Sequence, residues 1–528
     1  MNNKKILFLS TICILLLQKS FAQSKDENAI RFSQFINVED AKKHLTVLTS
    51  DELEGRETGE PGQHKAAKYI AGHFKTLGLL VMDGEEATYL QRFPLNVTKA
   101  DETKLKIGDT ALEPYNDFYA LPVGKDLVLN ATEILFVGYG ISEKVYDDYK
   151  KTDVKGKVLL MMGGEPLDKD SISLITGTKE RTEWSTGYSK KAELAKTKGA
   201  AAVIFINSHF EEKIMYYKLL KNDRTLSLEQ NNKEEEKMPQ ISISVKVANQ
   251  ILVSSGKTIK DIKQKIRKKE RTISLTIKTP FELNIIAKPE KIYSENVLGF
   301  IRGRELPDEY IFVTAHYDHL GMKDGKIYRG ADDDGSGTTG VLEIAHAFAQ
   351  AKNAGFTPKR SIVFMTVAGE EKGLLGSSYY TDHPYVPIAA TVCDLNIDMI
   401  GRIDADHKND SSYIYVIGSD KISTELHTIN EQANATYTHL NLDYKYNDPK
   451  DPNRFYYRSD HYNFAEKGVP IIFYFNGVHE DYHKPSDDIS KLSFDLLVKR
   501  AQLAFFTAWE VANRKDRIKS DVPQVKEK

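Results

Sequence analysis

From residue 295 onward, short apolar runs alternate with amphipathic stretches of helical periodicity. We predict strands at 310–315, 361–367, 391–397 and 469–475, and helices at 336–353 and 493–513. This alternation is typical of an α/β domain in which helices cover both faces of a mostly parallel sheet. Ligands of such sheets bind beyond the carboxyl ends of the strands, so the residues that follow these strands are the candidates for chemistry.

Acidic and imidazole side chains follow the predicted strands. In chain order they are His316, Asp318, His319, Asp332, Asp333, Asp334, Glu370, Glu371, Asp398, His479 and His483. Several carboxylates at one sheet edge repel one another and raise each other's pKa, whereas two divalent cations clamped by a shared carboxylate remove that cost. Mixed His, Asp and Glu ligands suit zinc, with cobalt or manganese as substitutes. The sequence therefore predicts a two-metal site.

A second zinc motif is present in the same region. His479-Glu480-Asp481-Tyr482-His483 matches H-E-x-x-H, which binds zinc only where positions i and i+4 share a helix face. Gly477 precedes the motif and Pro485 follows it, which disfavours a long helix. A G-x-S-x-G elbow and a Walker A motif are absent, and Cys393 lies inside a predicted buried strand, which disfavours a cysteine nucleophile.

The N-terminus has the pattern of a secretory signal peptide. Two lysines precede the apolar run 6–17, which is too short to span a bilayer, and Ser20-Phe21-Ala22 suits signal peptidase. Cleavage there removes Cys13 and leaves Cys393 as the only cysteine, so the mature chain cannot form an internal disulfide. We expect an exported bacterial protein, periplasmic or secreted.

Composition excludes several classes of protein. The chain has 73 basic and 75 acidic residues, a formal net charge of -2, which argues against nucleic-acid binding through a broad basic field. A mean hydropathy of -0.44 excludes a polytopic membrane protein, and we expect no integral membrane segment after signal cleavage. A length of 528 residues exceeds one ordinary domain. The stretch 116–280 has a different pattern of apolar and polar residues, with predicted strands at 133–139, 157–162 and 201–206.

Several motifs resemble those of the co-catalytic dinuclear zinc aminopeptidases, a family that includes leucine aminopeptidases, glutamate carboxypeptidase and the transferrin receptor. They are 50–56, 316–318, 330–337, 368–371, 396–399, 458–461 and 482–485. The stretch 116–280 is similar to a protease-associated domain, notably at 137–140 and 199–203. The resemblance implies a peptidase domain formed by 23–115 and 281–514, with an inserted smaller α/β domain at 116–280. The signal peptide at 1–22 and a polar tail at 515–528 complete the expected domain organisation.

The same resemblance implies roles for individual residues. The implied ligands are His316 and Asp398 on one zinc, Glu371 and His483 on the other, and Asp333 on both. Glu370 is the implied general base, which takes a proton from the bridging water. Asp318 is implied to orient His316. Tyr456, or alternatively Tyr457, is implied to donate a hydrogen bond to the tetrahedral oxyanion. The resemblance also implies a cis peptide bond between Asp333 and Asp334.

The expected function is hydrolysis of N-terminal residues from peptides, with two Zn²⁺ per chain and a metal-bridging hydroxide as the nucleophile. One alternative is a carboxypeptidase of the same fold, which needs cations for the terminal carboxylate; Arg329, Arg402, Arg454 and Arg458 are candidates. A second alternative is a receptor-like binding protein that kept the fold and lost the metals. The sequence determines neither the preferred terminal residue nor the oligomeric state.

Overall fold

The elements of the chain are described in a computed structural model over residues 25–523, apart from 83–87, 100–101, 151, 221–223, 230–237, 270–271 and 288–289. The described α-helices are α1 (Glu27–Ser33), α2 (Val38–Leu48), α3 (Pro61–Thr76), α4 (Ser189–Thr197), α5 (Ile214–Leu220), α6 (Val245–Ile251), α7 (Ile259–Lys269), α8 (Gly335–Asn353), α9 (Leu375–Asp382), α10 (Thr424–Ala433), α11 (His461–Glu466) and α12 (Phe494–Asn513). The predicted signal peptide, 1–22, lies outside the described residues. No described helix has both the length and the apolar character that a membrane span requires.

The strands are named in chain order. They are β1 (Leu90–Lys99), β2 (Glu102–Ile107), β3 (Thr110–Leu112), β4 (Phe118–Ala120), β5 (Leu127–Ala131), β6 (Ile134–Val137), β7 (Val158–Met162), β8 (Ala202–Asn207), β9 (Arg224–Leu228), β10 (Gln240–Ser244), β11 (Ser274–Ile277), β12 (Phe281–Ile286), β13 (Glu290–Ile301), β14 (Leu306–His316), β15 (Gly321–Lys323), β16 (Lys326–Tyr328), β17 (Arg360–Val367), β18 (Thr391–Ile397), β19 (Tyr413–Ile417), β20 (Asn441–Asp443) and β21 (Ile471–Phe475).

The chain divides into two compact units. The first comprises Met1–Arg92 and Ser294–Lys528, and the second Phe93–Tyr293. The segment 116–280, predicted as an insert, lies within the second unit, which begins earlier and ends later. In the second unit, six strands lie in the order β11-β6-β7-β8-β10-β4, and four lie in the order β3-β2-β12-β5. The buried apolar side chains of these strands, such as Ile134, Val158 and Ile204, form its core.

The first unit is built around a mixed, mostly parallel sheet. Its strands lie in the order β20-β19-β21-β18-β14-β17-β13. Only the pairs β19–β21 and β17–β13 are antiparallel; the other four are parallel. The residues of β17, β18 and β21 are buried throughout, as expected for strands covered on both faces. The predicted fold class is confirmed.

Helices cover both faces of this sheet. Successive residues of β17 point to opposite sides, since the side-chain period of a strand is two. Val363 and Met365 share a buried cluster with Tyr380 of α9 and Phe464 of α11. Phe364, between them, packs on Phe348 of α8, with ring centroids 6.1 Å apart. Helix α8 therefore covers the face of the sheet opposite α9 and α11.

Predicted and observed elements agree closely where apolar runs are long. The helix predicted at 336–353 is α8, the terminal helix predicted at 493–513 is α12, and the strand predicted at 391–397 is β18. The strands β13 and β19 were not predicted. Each has one antiparallel neighbour in the first unit, β17 for β13 and β21 for β19. No α-helix separates β13 from β14 or β18 from β19, so these strands interrupt the alternation on which the prediction relied.

Candidate metal centre

Parallel strands deliver most of the polar side chains of this centre. His316 is the last residue of β14, and Asp398 follows β18 directly. Glu370 and Glu371 come shortly after the end of β17. Because β17, β14 and β18 are parallel neighbours, their carboxyl ends lie at one edge of the sheet, and these side chains meet there.

A first ligand group surrounds the His316 ring, which is 1% exposed. Its Nε2 lies 3.3 Å from Asp333 Oδ1, 3.6 Å from Asp398 Oδ1 and 3.8 Å from Glu370 Oε2. Single ligand atoms of His316, Asp334 and Asp398 also lie within 4.8 Å of one another. These separations suit side chains that surround a single ion.

A second ligand group surrounds His483. Its Nε2 lies 3.1 Å from Asp333 Oδ2 and 3.2 Å from Glu371 Oε2. The fully buried His319, which was not among the implied ligands, belongs to the same group: its Nδ1 lies 2.8 Å from Glu371 Oε1 and 3.8 Å from Asp333 Oδ2. The only sequence signal for His319 is its place in the polar run directly after β14.

Asp333 joins the two groups, since its Oδ1 faces the first and its Oδ2 the second. Its neighbours hold the loop in place. Asp332 accepts the N–H of Gly401 at 2.7 Å, and Asp334 caps α8 by accepting the N–H of Gly337 at 2.8 Å. The Asp333–Asp334 peptide bond is cis, as the resemblance implied. The five implied ligands therefore converge, with one carboxylate shared.

The charges of the centre call for cations. Although burial opposes the charged ring, the carboxylates of Glu370 and Asp398 raise the pKa of His316 well above its usual value. Burial also disfavours the charged form of His483, but Asp333 and Glu371 raise its pKa to about 10. Without a metal, the two rings hold protons to balance the carboxylates, and divalent ions can take the place of those protons.

Buried ligand atoms that lack hydrogen-bond partners show whether metal ions fit between the two groups. Five buried atoms that line the two groups have no hydrogen-bond partner within the described part of the chain. They are His316 Nε2, His319 Nδ1, Asp333 Oδ2, Asp334 Oδ2 and Glu371 Oε1. Buried polar atoms rarely stay unpaired unless an ion or water meets them. Imidazole and carboxylate donors are those that zinc prefers, so the residues fit a pair of such ions.

Asp318 touches both His316 and Glu370. The Nδ1 of His316 lies 3.1 Å from the main-chain carbonyl oxygen of Asp318 and 3.6 Å from its Oδ1. The carboxylate of Asp318 accepts the hydroxyl of Thr58 at 2.6 Å and the N–H of Glu370 at 3.3 Å. Asp318 thus links the metal-facing ring to the backbone of the implied base.

Two segments of the chain match models of known protein families. Residues 296–508 match the model of peptidase family M28, and residues 123–251 match that of the PA domain. We call residues 296–508 the M28 domain, after the family model that they match. The M28 domain contains both ligand groups in full, from His316 to His483.

Similar proteins include several aminopeptidases. Aminopeptidase YwaD of Bacillus subtilis (strain 168) is 27% identical over 244 residues, 44% of this chain and 48% of its own length. A probable leucine aminopeptidase of Arthroderma otae is 30% identical over 238 residues, 43% of this chain and 61% of its own. The chain thus spans about half the length of the curated relatives it matches.

One solved structure is similar over nearly the whole chain. It is an aminopeptidase from Aneurinibacillus sp. strain AM-1, with a TM-score of 0.57 and 19% sequence identity, covering 94% of this chain and 98% of that one. At this identity the likeness supports the fold alone.

Two tyrosines of the M28 domain differ in their surroundings. The contacts of Tyr456 are with the rings of Tyr457 and Tyr462 and with Lys421 Nζ, 4.9 Å from its centroid, rather than with the ligand groups. Tyr482 stacks on His483 with ring centroids 3.8 Å apart. Burial and the nearby carboxylates raise the pKa of Tyr482, which keeps its hydroxyl protonated. Of the two, Tyr482 is the hydroxyl beside the metal centre, and sequence reasoning passed over it.

The H-E-x-x-H alternative is wrong. Residues 480–483 form a turn rather than a helix, and His483 has a φ of 57°. His479 Nε2 faces Asp332 Oδ2 at 3.2 Å, whereas His483 belongs to the second ligand group. Gly477 and Pro485 flank the motif and prevent the helix that such a zinc site needs.

A buried arginine ties together the two loops that carry the ligands. Arg56 is fully buried, and its guanidinium donates to the carbonyl oxygens of Tyr317 at 2.7 Å, Arg329 at 2.8 Å and Gly330 at 3.0 Å, and to that of Leu48. The first of these carbonyls directly follows His316, and the other two begin the loop to Asp333. The motif 50–56 therefore supports the centre without reaching it.

We predict that Arg56→Met lowers the free energy of unfolding by about 3 kcal/mol, because four buried carbonyls lose a charged donor. Chemical denaturation checks this value. The matched control is Arg329→Met, which removes a partly exposed pair with Asp51 and should cost about 1 kcal/mol or less. Equal losses in the two variants would contradict the role given to Arg56.

Proposed function

We propose that this protein is a zinc-dependent exopeptidase that hydrolyses the N-terminal residue from peptides. The observation that carries the proposal is the position of Asp333, whose two carboxylate oxygens face two separate groups of imidazole and carboxylate ligands. A shared carboxylate between two such groups is the arrangement of two-metal hydrolytic sites. The match of residues 296–508 to the model of peptidase family M28 supports the same activity.

The proposed zinc ligands are the residues of the two groups. They are His316 and Asp398 in the first group, Glu371 and His483 in the second, and Asp333 in both, with His319 available to the second. When bound, such ions supply Lewis acidity toward the scissile carbonyl and lower the pKa of water. The proposal includes Co²⁺ or Mn²⁺ as substitutes.

Glu370 is the proposed general base. Its carboxylate is almost buried at the edge of the first group, and burial together with neighbouring carboxylates raises its pKa well above the usual value. Water attacks the carbonyl carbon of the peptide, and Glu370 accepts the proton that this water releases. The same proton then passes to the amine nitrogen as the C–N bond breaks, so Glu370 ends the cycle as it began.

Tyr482 is the proposed donor to the oxyanion. Its hydroxyl stays protonated because burial and the nearby carboxylates raise its pKa. Its ring is held against that of His483, and its Oη lies 3.4 Å from Arg458 Nη2. A fixed donor beside the reacting carbonyl stabilises charge that develops only in the transition state.

We predict that Tyr482→Phe lowers kcat about 100-fold with little change in metal content, because one oxyanion donor is lost. Tyr456→Phe is the matched control and should change kcat less than about 3-fold. Steady-state kinetics on an aminoacyl anilide, with zinc analysis of both proteins, measures this. A larger loss in the Tyr456 variant would return the role to the residue that the resemblance implied.

An aminopeptidase and a carboxypeptidase differ in which end of the peptide they bind and hydrolyse. The names of the similar proteins from Bacillus subtilis and Arthroderma otae support an aminopeptidase. Two arginines that a carboxypeptidase could use are already paired: Arg329 with Asp51 at 2.6 Å and Arg402 with Asp481 at 2.9 Å. These pairs leave fewer cations for a terminal carboxylate, which favours the N-terminal reading.

The experiment compares two matched peptides, one with a free N-terminus and an amidated C-terminus, the other acetylated and with a free C-terminus. Release of the first residue from only the former supports the proposal. Release of the last residue from the latter would establish the carboxypeptidase. Hydrolysis of neither, together with zinc below one ion per chain, would favour the receptor-like protein.

Export is a further part of the proposal, and it rests on the signal-peptide pattern of residues 1–22. N-terminal sequencing of protein from the envelope fraction tests it, with Gln23 expected as the first residue. An intact Met1 in the cytoplasmic fraction would overturn it.

A further inference from the structure

A second cluster of imidazoles and carboxylates lies away from the M28 metal centre, where three helices of the first unit meet. Asp40 and His44 lie on α2, His73 on α3, and Glu343 and His346 on α8. Spacings of three and four residues place each pair on one helix face, and α2 and α3 both pack against α8. We call these five residues the three-helix cluster.

Glu343 is the anchor of the three-helix cluster. It is fully buried, and its Oε2 accepts the N–H of Asn37 at 3.0 Å. Its Oε1 has no hydrogen-bond partner within the described residues and faces His44 Nε2 at 3.5 Å. An unpaired carboxylate oxygen is costly in the interior, and a proton or a cation can satisfy it.

The histidines around Glu343 are in the form that binds metals. Burial lowers the pKa of His44 to about 3 and that of His73 to about 4, so both rings are neutral at pH 7. The Nδ1 of His44 is held by the hydroxyl of Tyr69 at 2.8 Å, which leaves its Nε2 directed at Glu343. This is how ligating imidazoles are usually oriented, by a partner on the second nitrogen.

Further donors complete the set. Ligand atoms of Asp40, Glu343 and His346 lie within 4.8 Å of one another. The His73 ring lies 4.5 Å from that of His44, and its Nε2 is also without a hydrogen-bond partner among the described residues. Two buried atoms of the cluster, Glu343 Oε1 and His73 Nε2, thus have no hydrogen-bond partner among the described residues.

We propose that the three-helix cluster binds one divalent ion of the zinc class through Asp40, Glu343 and His346, whose ligand atoms lie within 4.8 Å of one another, with His44 available beside Glu343. Two imidazoles and two carboxylates form a donor set that Zn²⁺ accepts, and no residue of the two ligand groups takes part. The ion joins α2 to α8, the helix that begins directly after Asp333 and Asp334. Its role is structural, because it fastens the helix behind the ligand loop to its neighbour.

The test measures zinc in the full chain after equilibration with Zn²⁺ and removal of loosely held metal. The variant is His346→Gln on a half-buried position, and the matched control is His427→Gln on α10, where the ring bonds Ser419. Wild type and the control should hold one more zinc per chain than His346→Gln. Peptidase activity should stay within about 2-fold in all three, since none of these side chains touches the M28 metal centre.

A second measurement separates this site from the catalytic one. Added Zn²⁺ should raise the Tm of wild type more than that of His346→Gln or Glu343→Gln, with circular dichroism confirming that both variants fold. Because the readout is a difference between variants, it holds whatever the occupancy of the M28 metal centre. Equal zinc content and equal Tm shifts in wild type and His346→Gln would overturn the proposal and leave Glu343 as a buried protonated carboxyl.

Discussion

Glu370→Gln should lower kcat about 10³-fold while both metal ions stay bound. The amide keeps the size of the side chain but cannot accept the proton of the attacking water. Glu370 lies beside the first ligand group, with Oε2 3.8 Å from His316 Nε2, yet it is not among the proposed ligands. Activity and metal content should therefore separate in this variant. Stopped and continuous assays on an aminoacyl anilide measure kcat, and elemental analysis counts the zinc.

Two controls sharpen the result. Glu480→Gln changes the glutamate of the H-E-x-x-H motif, whose side chain is 80% exposed, and should leave kcat unchanged. Glu371→Gln should lose zinc as well as activity, because Glu371 is a proposed ligand of the second group. If Glu370→Gln keeps more than about a tenth of wild-type kcat, or if it loses zinc, another residue acts as the base.

Asp333→Asn should weaken the binding of both ions at least 100-fold and abolish measurable turnover. Its two oxygens face different ligand groups, so one substitution removes a carboxylate charge from each. Asp398→Asn should weaken one ion only, since Asp398 contacts the first group alone. Competition with a chromogenic chelator gives the affinity of each ion in turn.

The pattern across these variants is the decisive feature. Loss of one ion in Asp398→Asn and of two in Asp333→Asn fits a shared carboxylate. Loss of a single ion in both variants would mean that the groups bind independently, and the two-metal mechanism would then fail. Dialysis against a chelator, followed by zinc, should restore activity in wild type and not in Asp333→Asn.

Tertiary contacts decide how the three aspartates of the 332–334 loop divide their tasks. Asp332 and Asp334 accept backbone N–H groups from Gly401 and Gly337, while Asp333 faces the imidazoles. A run of three identical residues cannot reveal this division, because it depends on which backbone donors arrive from β18 and α8. The resemblance implied Asp333, and the fold supplies the physical reason.

The apolar pattern of the sequence was sufficient to predict the four central strands of the sheet of the first unit, β21, β18, β14 and β17. Long apolar runs such as 361–367 and 391–397 are typical of parallel strands covered on both faces. The polar residues that follow such strands meet at one edge of the sheet. For this reason the sequence alone predicts that His316, Glu371 and Asp398 lie close together. The strands β13 and β19 were not predicted because no α-helix separates β13 from β14 or β18 from β19.

Only the tertiary structure decided which side chains face the centre from outside the strand ends. His319 stands three residues beyond His316 and Tyr482 directly before His483, but the direction of each side chain is set by packing between segments distant in sequence. Tyr456 and Tyr482 carry the same side chain, and only the residues that each one contacts in the fold distinguish them. The three-helix cluster likewise exists because α2, α3 and α8 pack together, a juxtaposition that no local pattern encodes.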